Sequence, residues 1–273
     1  MKYAIFSDVH ANPRALEAVL ADARVHRAER FICLGDVTGY GPDASGALER
    51  IRRNVDICLM GNHDAACAGI VPEDEVQENP NYWLDRKQRG EVGREGCQWL
   101  ASRPLVWTSG PEDVPWTFAC AHGDFVRPAE FDYVSCELDA NHSFFTRAEP
   151  FLFVGHTHFA EVYERTEDGA VRPRPFRSFG PRPGWRYLVN VGSLGHPRHD
   201  GTTTYALFDT VSGRLTARRL AFDAPRYALD LVERGLPVPP WLCMQSSFAS
   251  RPVSRRKKWT EAAFPLQENT SWD

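Results

Sequence analysis

The chain has 273 residues, 42% of them hydrophobic and 25% charged, which suits a globular protein whose core needs no covalent staples. Its formal net charge of −4 gives no global basic field for nucleic acid or an anionic membrane, so a phosphate-bearing partner needs a local positive centre. Seven cysteines, an odd number with no C-x-x-C spacing, argue against a disulfide framework and for a reducing cytoplasm. No apolar stretch reaches the length of a membrane span or a signal peptide.

Short apolar runs recur, and most end in a polar motif. The first, residues 3–6, leads into Ser7-Asp8-Val9-His10. Residues 12–23 then follow helical spacing, with Ala15, Leu16, Val19, Leu20 and Ala23 on one face, Asn12 as N-cap and Pro13 as first helical residue. A strand over 31–34 leads into Gly35-Asp36. A helix over 43–53 turns Ala47, Leu48 and Ile51 inward, and a strand over 57–60 leads into Gly61-Asn62-His63-Asp64. This β-α-β-α-β opening predicts a parallel sheet, in which ligands gather beyond the carboxyl ends of the strands. Residues 72–90 are polar and weakly periodic and read as a cap or surface excursion. Strands over 116–121 and 151–154 lead into His122-Gly123 and Gly155-His156-Thr157-His158, so five motifs are expected at five strand ends of one sheet.

Residues 172–186 are rich in Pro, Arg and Gly and read as a loop. Strands over 185–191, 203–209 and 214–222, with a hairpin turn at 209–213, read as a second, antiparallel sheet packed on the first. Residues 1–245 read as one domain. Residues 246–273, with Arg251, Arg255, Arg256, Lys257 and Lys258 and few apolar anchors, read as a mobile basic tail.

Taken singly, each polar motif has an ordinary structural reading: Asp and Asn cap helices, and a lone His is usually a satisfied core imidazole. Taken together they supply what divalent metals need, namely carboxylate, imidazole and amide oxygen. Asp8 and His10 are two apart, and an extended backbone would point both to one ion; His156 and His158 repeat the spacing. Asp36 has two oxygens and could bridge two ions, while Asn62 and His122 add a carbonyl oxygen and a ring nitrogen.

Asp8-x-His10, Gly35-Asp36, Gly61-Asn62-His63-Asp64, His122 and Gly155-His156-x-His158 together resemble the calcineurin-like metallophosphoesterase superfamily, over roughly residues 1–222. Asp8-Val9-His10-Ala11-Asn12, residues 35–43 and Asn190-Val191-Gly192-Ser193 resemble its YfcE-like bacterial phosphodiesterase branch. The resemblance implies an α/β fold, a four-layer αββα sandwich of two mixed sheets with a dimetal site at the strand C-terminal ends. It implies that Asp8, His10, Asp36 and His158 hold one metal and that Asp36, Asn62, His122 and His156 hold the other. Mn, Fe or Zn suits so many imidazoles better than Mg. The implied reaction is hydrolysis of a phosphodiester or small phosphate ester by a hydroxide bridging the ions, with His63 as general acid; packing of its loop is the other role open to His63.

Asn12, Ser193 and Arg198 are candidate substrate contacts, although Asn12 serves equally as a helix cap. Relatives that act on phosphoproteins or dinucleoside tetraphosphates continue the second motif as Gly-Asp-x-Val-Asp-Arg-Gly. Here Gly39 stands for the Asp that would orient the acid His, and Tyr40 for a phosphate-binding Arg. Those two activities therefore remain alternatives, and His63 is left without an evident partner. His122-Gly123-Asp124 also departs from the branch's His-Gly-Ser. A third alternative is a non-catalytic protein-binding platform of the same fold, against which stand the five retained histidines. A membrane partner is not expected, nucleic acid would need an aromatic basic track, and an oligomer is compatible with the sequence.

Overall fold

The computed structural model describes residues 1–198 and 201–242, so the expected basic tail at 246–273 lies outside the described residues. The first half runs β1 (Lys2–Phe6), α1 (Pro13–Val25), β2 (Arg30–Cys33), α2 (Ala44–Asn54), β3 (Ile57–Cys58), α3 (Asn62–Ala68), α4 (Glu73–Glu78), α5 (Asp85–Ala101), β4 (Val106–Thr108) and β5 (Phe118–Ala121). The second runs α6 (Glu137–Thr146), β6 (Phe151–Val154), β7 (Glu161–Arg165), β8 (Val171–Pro175), β9 (Arg186–Asn190), β10 (Thr203–Asp209), β11 (Arg214–Leu220) and α7 (Ala224–Glu233). None of the described helices is long and apolar enough to cross a membrane.

Two mixed sheets pack face to face. One has the order β11-β10-β1-β2-β3 and the other β4-β5-β6-β9-β7-β8. Strands β1, β2 and β3 are parallel, as are β5, β6 and β9; β10 runs antiparallel to β1. The apolar runs read as buried strands because both faces of each are covered. In β1, Tyr3 and Ile5 join Phe118, Phe151, Phe153 and Phe208 between the sheets, while Ala4 and Phe6 face Leu16, Val19 and Leu48 of α1 and α2. In β6, Phe151 and Phe153 point inward and Leu152 and Val154 pack under α6 with Ala140 and Phe144. This gives the four layers αββα.

The five polar motifs do not end five strands of one sheet. Those after β1, β2 and β3 belong to the first sheet, and those after β5 and β6 to the second. The late strands do not form a sheet of their own either: β10 and β11 extend the first, and β9 enters the second beside β6. Strand pairing across distant segments leaves no periodic mark in the chain. Residues 171–175 form strand β8 where a loop was expected; Pro173 and Pro175 are tolerated there because β8 is an edge strand with one unpaired side. The expected turn at 209–213 is present, closed by Gly213 N donating to Asp209 O at 2.8 Å.

Candidate metal centre

The site sits where the two sheets meet, at the carboxyl ends of their parallel strands. The loop after β1 carries Asp8 and His10, the loop after β2 carries Asp36, and α3 begins at Asn62 and His63. From the other sheet come His122 after β5 and His156 and His158 after β6. The side chains of all seven expected ligands are buried. The backbone route differs from the expected one. Asp8 and His10 have φ of 57° and 46°, and His156 and His158 have 66° and 63°, so neither pair projects from extended chain. Asp36 is also left-handed, at 54°. Five non-glycine residues in this sparsely populated region are strain concentrated at one place, a pattern associated with functional sites.

Two nests of ligand atoms result. Asp8, His10, Asp36 and His158 each bring one atom to the first, and Asp36, His122 and His156 to the second, with all atoms of a nest within 4.8 Å of one another. Asp36 is common to both. Asn62 adjoins the second: its Nδ2 donates to Tyr82 Oη at 3.2 Å, which turns Oδ1 toward His122 Nε2, 3.2 Å away.

The donor chemistry fits cations. His10 Nδ1 donates to Thr38 O at 2.9 Å, His122 Nδ1 to Leu34 O at 3.0 Å and His158 Nδ1 to His196 O at 2.8 Å. A carbonyl only accepts, so Nδ1 carries the proton and the Nε2 lone pair faces inward. His10 and His158 bring their Nε2 atoms within 3.0 Å of each other. One oxygen of each carboxylate is satisfied, Asp8 Oδ2 by His156 N and Asp36 Oδ1 by His63 N, both at 3.0 Å. The other oxygens, Asp8 Oδ1 and Asp36 Oδ2, are buried without a hydrogen-bond partner and face the rings. Acceptors opposed to acceptors in a buried pocket require a cation or protons to join them. The electrostatics agree. Burial would raise the Asp8 carboxyl, but His158 and His10 hold it well below the usual range. Burial would discharge His122, yet the Asp36 and Asp8 carboxylates lift it to about 9.

The geometry is braced from behind. Asp64 Oδ1 accepts from Val37 N at 2.9 Å and Thr38 N at 3.1 Å, fastening the Asp36 loop to α3. A Cβ on Gly61 would overlap Asp36 Oδ1, and one on Gly155 would overlap Ser7 Oγ.

A family model for the calcineurin-like phosphoesterase superfamily domain matches residues 1–213. The chain belongs to that superfamily. It is similar, at 31% identity and a TM-score of 0.75, to the metallophosphoesterase of Sphaerobacter thermophilus, over 90% of this chain and 100% of that one. The uncharacterised protein MJ0912 of Methanocaldococcus jannaschii is 27% identical over 247 residues, 88% of this chain and 94% of its own. The hypothetical protein PH1004 of Pyrococcus horikoshii shares the fold, with a TM-score of 0.67 at 16% identity over 86% of this chain and 94% of its own. The superfamily acts on phosphoester bonds with divalent metals, and this member carries a buried Asp and His cluster able to hold them.

Around this superfamily core the remaining candidates are sorted by position. Arg198 lines a cavity of about 130 Å³ over the nests, with Tyr40, His63, Asn79, Asn81, Tyr82, Glu130, Phe131 and Tyr133. Ser193 does not line it. Its hydroxyl donates to Asp8 O at 3.0 Å and accepts from His196 N at 2.9 Å, so it stands behind the site as a brace. Asn12 does not line it either, being fully buried with Oδ1 capping α1 through Ala15 N at 3.1 Å.

His63 does have a partner, contrary to expectation. Its Nδ1 donates to Asp85 Oδ2 at 2.9 Å, and the carboxylate is fully buried. Asp85 opens α5, inside the 72–90 excursion. Burial works against a charged His63, but Asp85 and Asp36 prevail and raise it to about 9. Three residues on, Gln88 accepts from Gly39 N at 2.7 Å and donates to Gly41 O at 2.8 Å. One face of α5 thus holds both His63 and the turn beneath it. Asp85, His196 and Tyr133 carry no motif that marks them. Tyr133 stacks on His156 with centroids 4.2 Å apart, and His196 stacks on Tyr40 at 4.5 Å.

Proposed function

We propose that this chain is a dimetal-dependent phosphoesterase that hydrolyses a phosphodiester or small phosphate ester, with His63 as general acid. The observation that carries the reading is the shared carboxylate of Asp36, buried between two nests whose acceptor atoms face one another. Asp8, His10, Asp36 and His158 would hold one ion, and Asp36, Asn62, His122 and His156 the other. Mn, Fe or Zn suits this imidazole-rich set better than Mg. When bound, such ions supply Lewis acidity that makes water nucleophilic near neutral pH and offsets phosphoryl charge.

The protein's own groups do the rest. Arg198, the one guanidinium among the described residues lining the pocket, would engage a phosphoryl oxygen. His63 faces the same pocket with its Nδ1 held by Asp85, which leaves Nε2 to deliver a proton to the departing alkoxide. Asp85 fixes the ring and favours its charged form.

The test is turnover by purified protein of a phosphate-ester panel that includes bis-p-nitrophenyl phosphate, across Mn²⁺, Fe²⁺, Zn²⁺ and Mg²⁺, beside Asp36→Ala. The parent should turn over at least one ester, and the variant should lose both metals and rate. Folded, metal-loaded protein with no turnover of any ester would sink the reading.

A further inference from the structure

A second cavity, of about 480 Å³, opens beside the metal pocket and shares three wall residues with it: Tyr82, Glu130 and Phe131. Its other walls are mostly apolar, with Met60, Ile70, Val71 and Leu105 among them. Ile70 is 49% exposed to solvent there. It follows α3, whose first residues are Asn62 and His63, and is held by Ile70 N donating to Ala65 O at 2.9 Å. The short helix α3 therefore carries His63 at its start, and this apolar wall follows its left-handed cap at Gly69. Phe131 stands between pocket and groove at φ 54°, an uncommon conformation for so bulky a residue.

Charge limits what the groove can accept. Among the described residues no Lys or Arg lines it, and Glu75 and Glu130 present carboxylates to it. Glu130 is paired with Arg127 at 2.5 Å, but both are exposed, and such a pair screens the groove weakly.

We infer that this groove binds the alcohol portion of the substrate and that this portion is an uncharged, apolar alkyl or aryl group. The inference rests on the phosphoesterase reading and narrows it. A phosphate ester would lie with its phosphoryl group over the nests and its leaving oxygen by His63. Its carbon chain would pass Tyr82 and Phe131 toward Ile70 and Leu105. A leaving group with a further phosphate or carboxylate would meet Glu75 with no cation to receive it.

The experiment is calorimetric binding of three non-hydrolysable probes to the Mn²⁺-loaded full-length protein: methylphosphonate, hexylphosphonate and 6-phosphonohexanoate. Each buried methylene contributes up to about fourfold in affinity, so hexylphosphonate should bind at least about tenfold tighter than methylphosphonate. The terminal carboxylate of the third probe should remove most of that gain. Ile70→Asp, a change at a half-exposed position, should bring the hexyl-to-methyl ratio below about threefold. Equal binding of hexyl- and methylphosphonate, or no penalty for the carboxylate, overturns the inference, as does an unchanged ratio in the variant. A hexyl preference in protein that turns over no ester would count against the phosphoesterase reading and still support the groove.

Discussion

A Cβ at position 39 would lie 2.6 Å from His63 Nδ1, so any side chain there would push the ring aside. With a glycine in that turn, at φ 88°, the carboxylate that steadies the ring has to come from elsewhere, and α5 delivers it through Asp85. If this pair acts as acid and orienting partner, Asp85→Asn should slow esters of alkyl alcohols by about 10²-fold, the lower range for general acid catalysis. Esters of p-nitrophenol, whose leaving group needs no proton, should slow far less. Parallel losses on both would assign Asp85 a purely structural role. Gly61 makes a second case. Gly61→Ala would press a methyl into Asp36 Oδ1, and a loss of roughly 1–3 kcal/mol with reduced metal content is expected from denaturant melts and metal analysis. The metal-type residues were legible because each follows an apolar run in a short motif. Asp85 was not, since it lies 22 residues beyond His63 in a polar stretch with no period. The left-handed backbone at Asp8, His10, His156 and His158 was also hidden: the residues paired by the i, i+2 spacing do converge, but not by the extended geometry it implied.

Between elements, Asp22 ties helix to sheet. From α1 its Oδ2 accepts from Tyr205 Oη of β10 at 2.6 Å and from Arg218 Nε of β11 at 2.9 Å, and its Oδ1 from Arg218 Nη2 at 2.7 Å. Partial burial would raise this carboxyl, but the Arg218 and Tyr205 hydrogen bonds prevail and hold it below its ordinary 3.8. Its contribution is therefore full above that value and is lost as pH falls through the lower folded pKa. Asp22→Asn should cost roughly 1–2 kcal/mol at neutral pH, discounted for partial exposure, and the gap to the parent should close in acid. Urea melts at pH 7 and pH 3 check this; a gap that does not narrow contradicts it. Helix α1 could be read from its cap and apolar face and α2 from its apolar face; Asn12 caps α1, and Asp43, read as helical, caps α2. The sheet membership of β9, β10 and β11 could not, because hydrogen bonding between strands far apart in sequence is decided by packing.

At the scale of the whole molecule, the ligands are divided between two sheets, Asp8, His10, Asp36 and Asn62 on one and His122, His156 and His158 on the other. Cations bound between them would add to the apolar packing that holds the sheets together. At a free metal concentration of 100 times Kd, each bound ion adds about 2.7 kcal/mol, or roughly 5–10 °C in Tm for a chain of this length. Thermal melts with Mn²⁺ or Zn²⁺ and with chelator should differ by that amount per bound ion, and identical melts would argue against a preformed site. The layered fold followed from the motif resemblance, whereas the residues that wall the cavity over the nests, such as Phe131 and Tyr133, sit in connections without a pattern.

The division has a consequence during synthesis. A ribosome that has finished only the first hundred residues has released Asp8, His10, Asp36 and Asn62 but none of the imidazoles that face them across the sheets. Such a fragment lacks His122, His156 and His158, so neither nest is complete in it. Both nests are complete only after His158 has emerged and the second sheet has closed on the first.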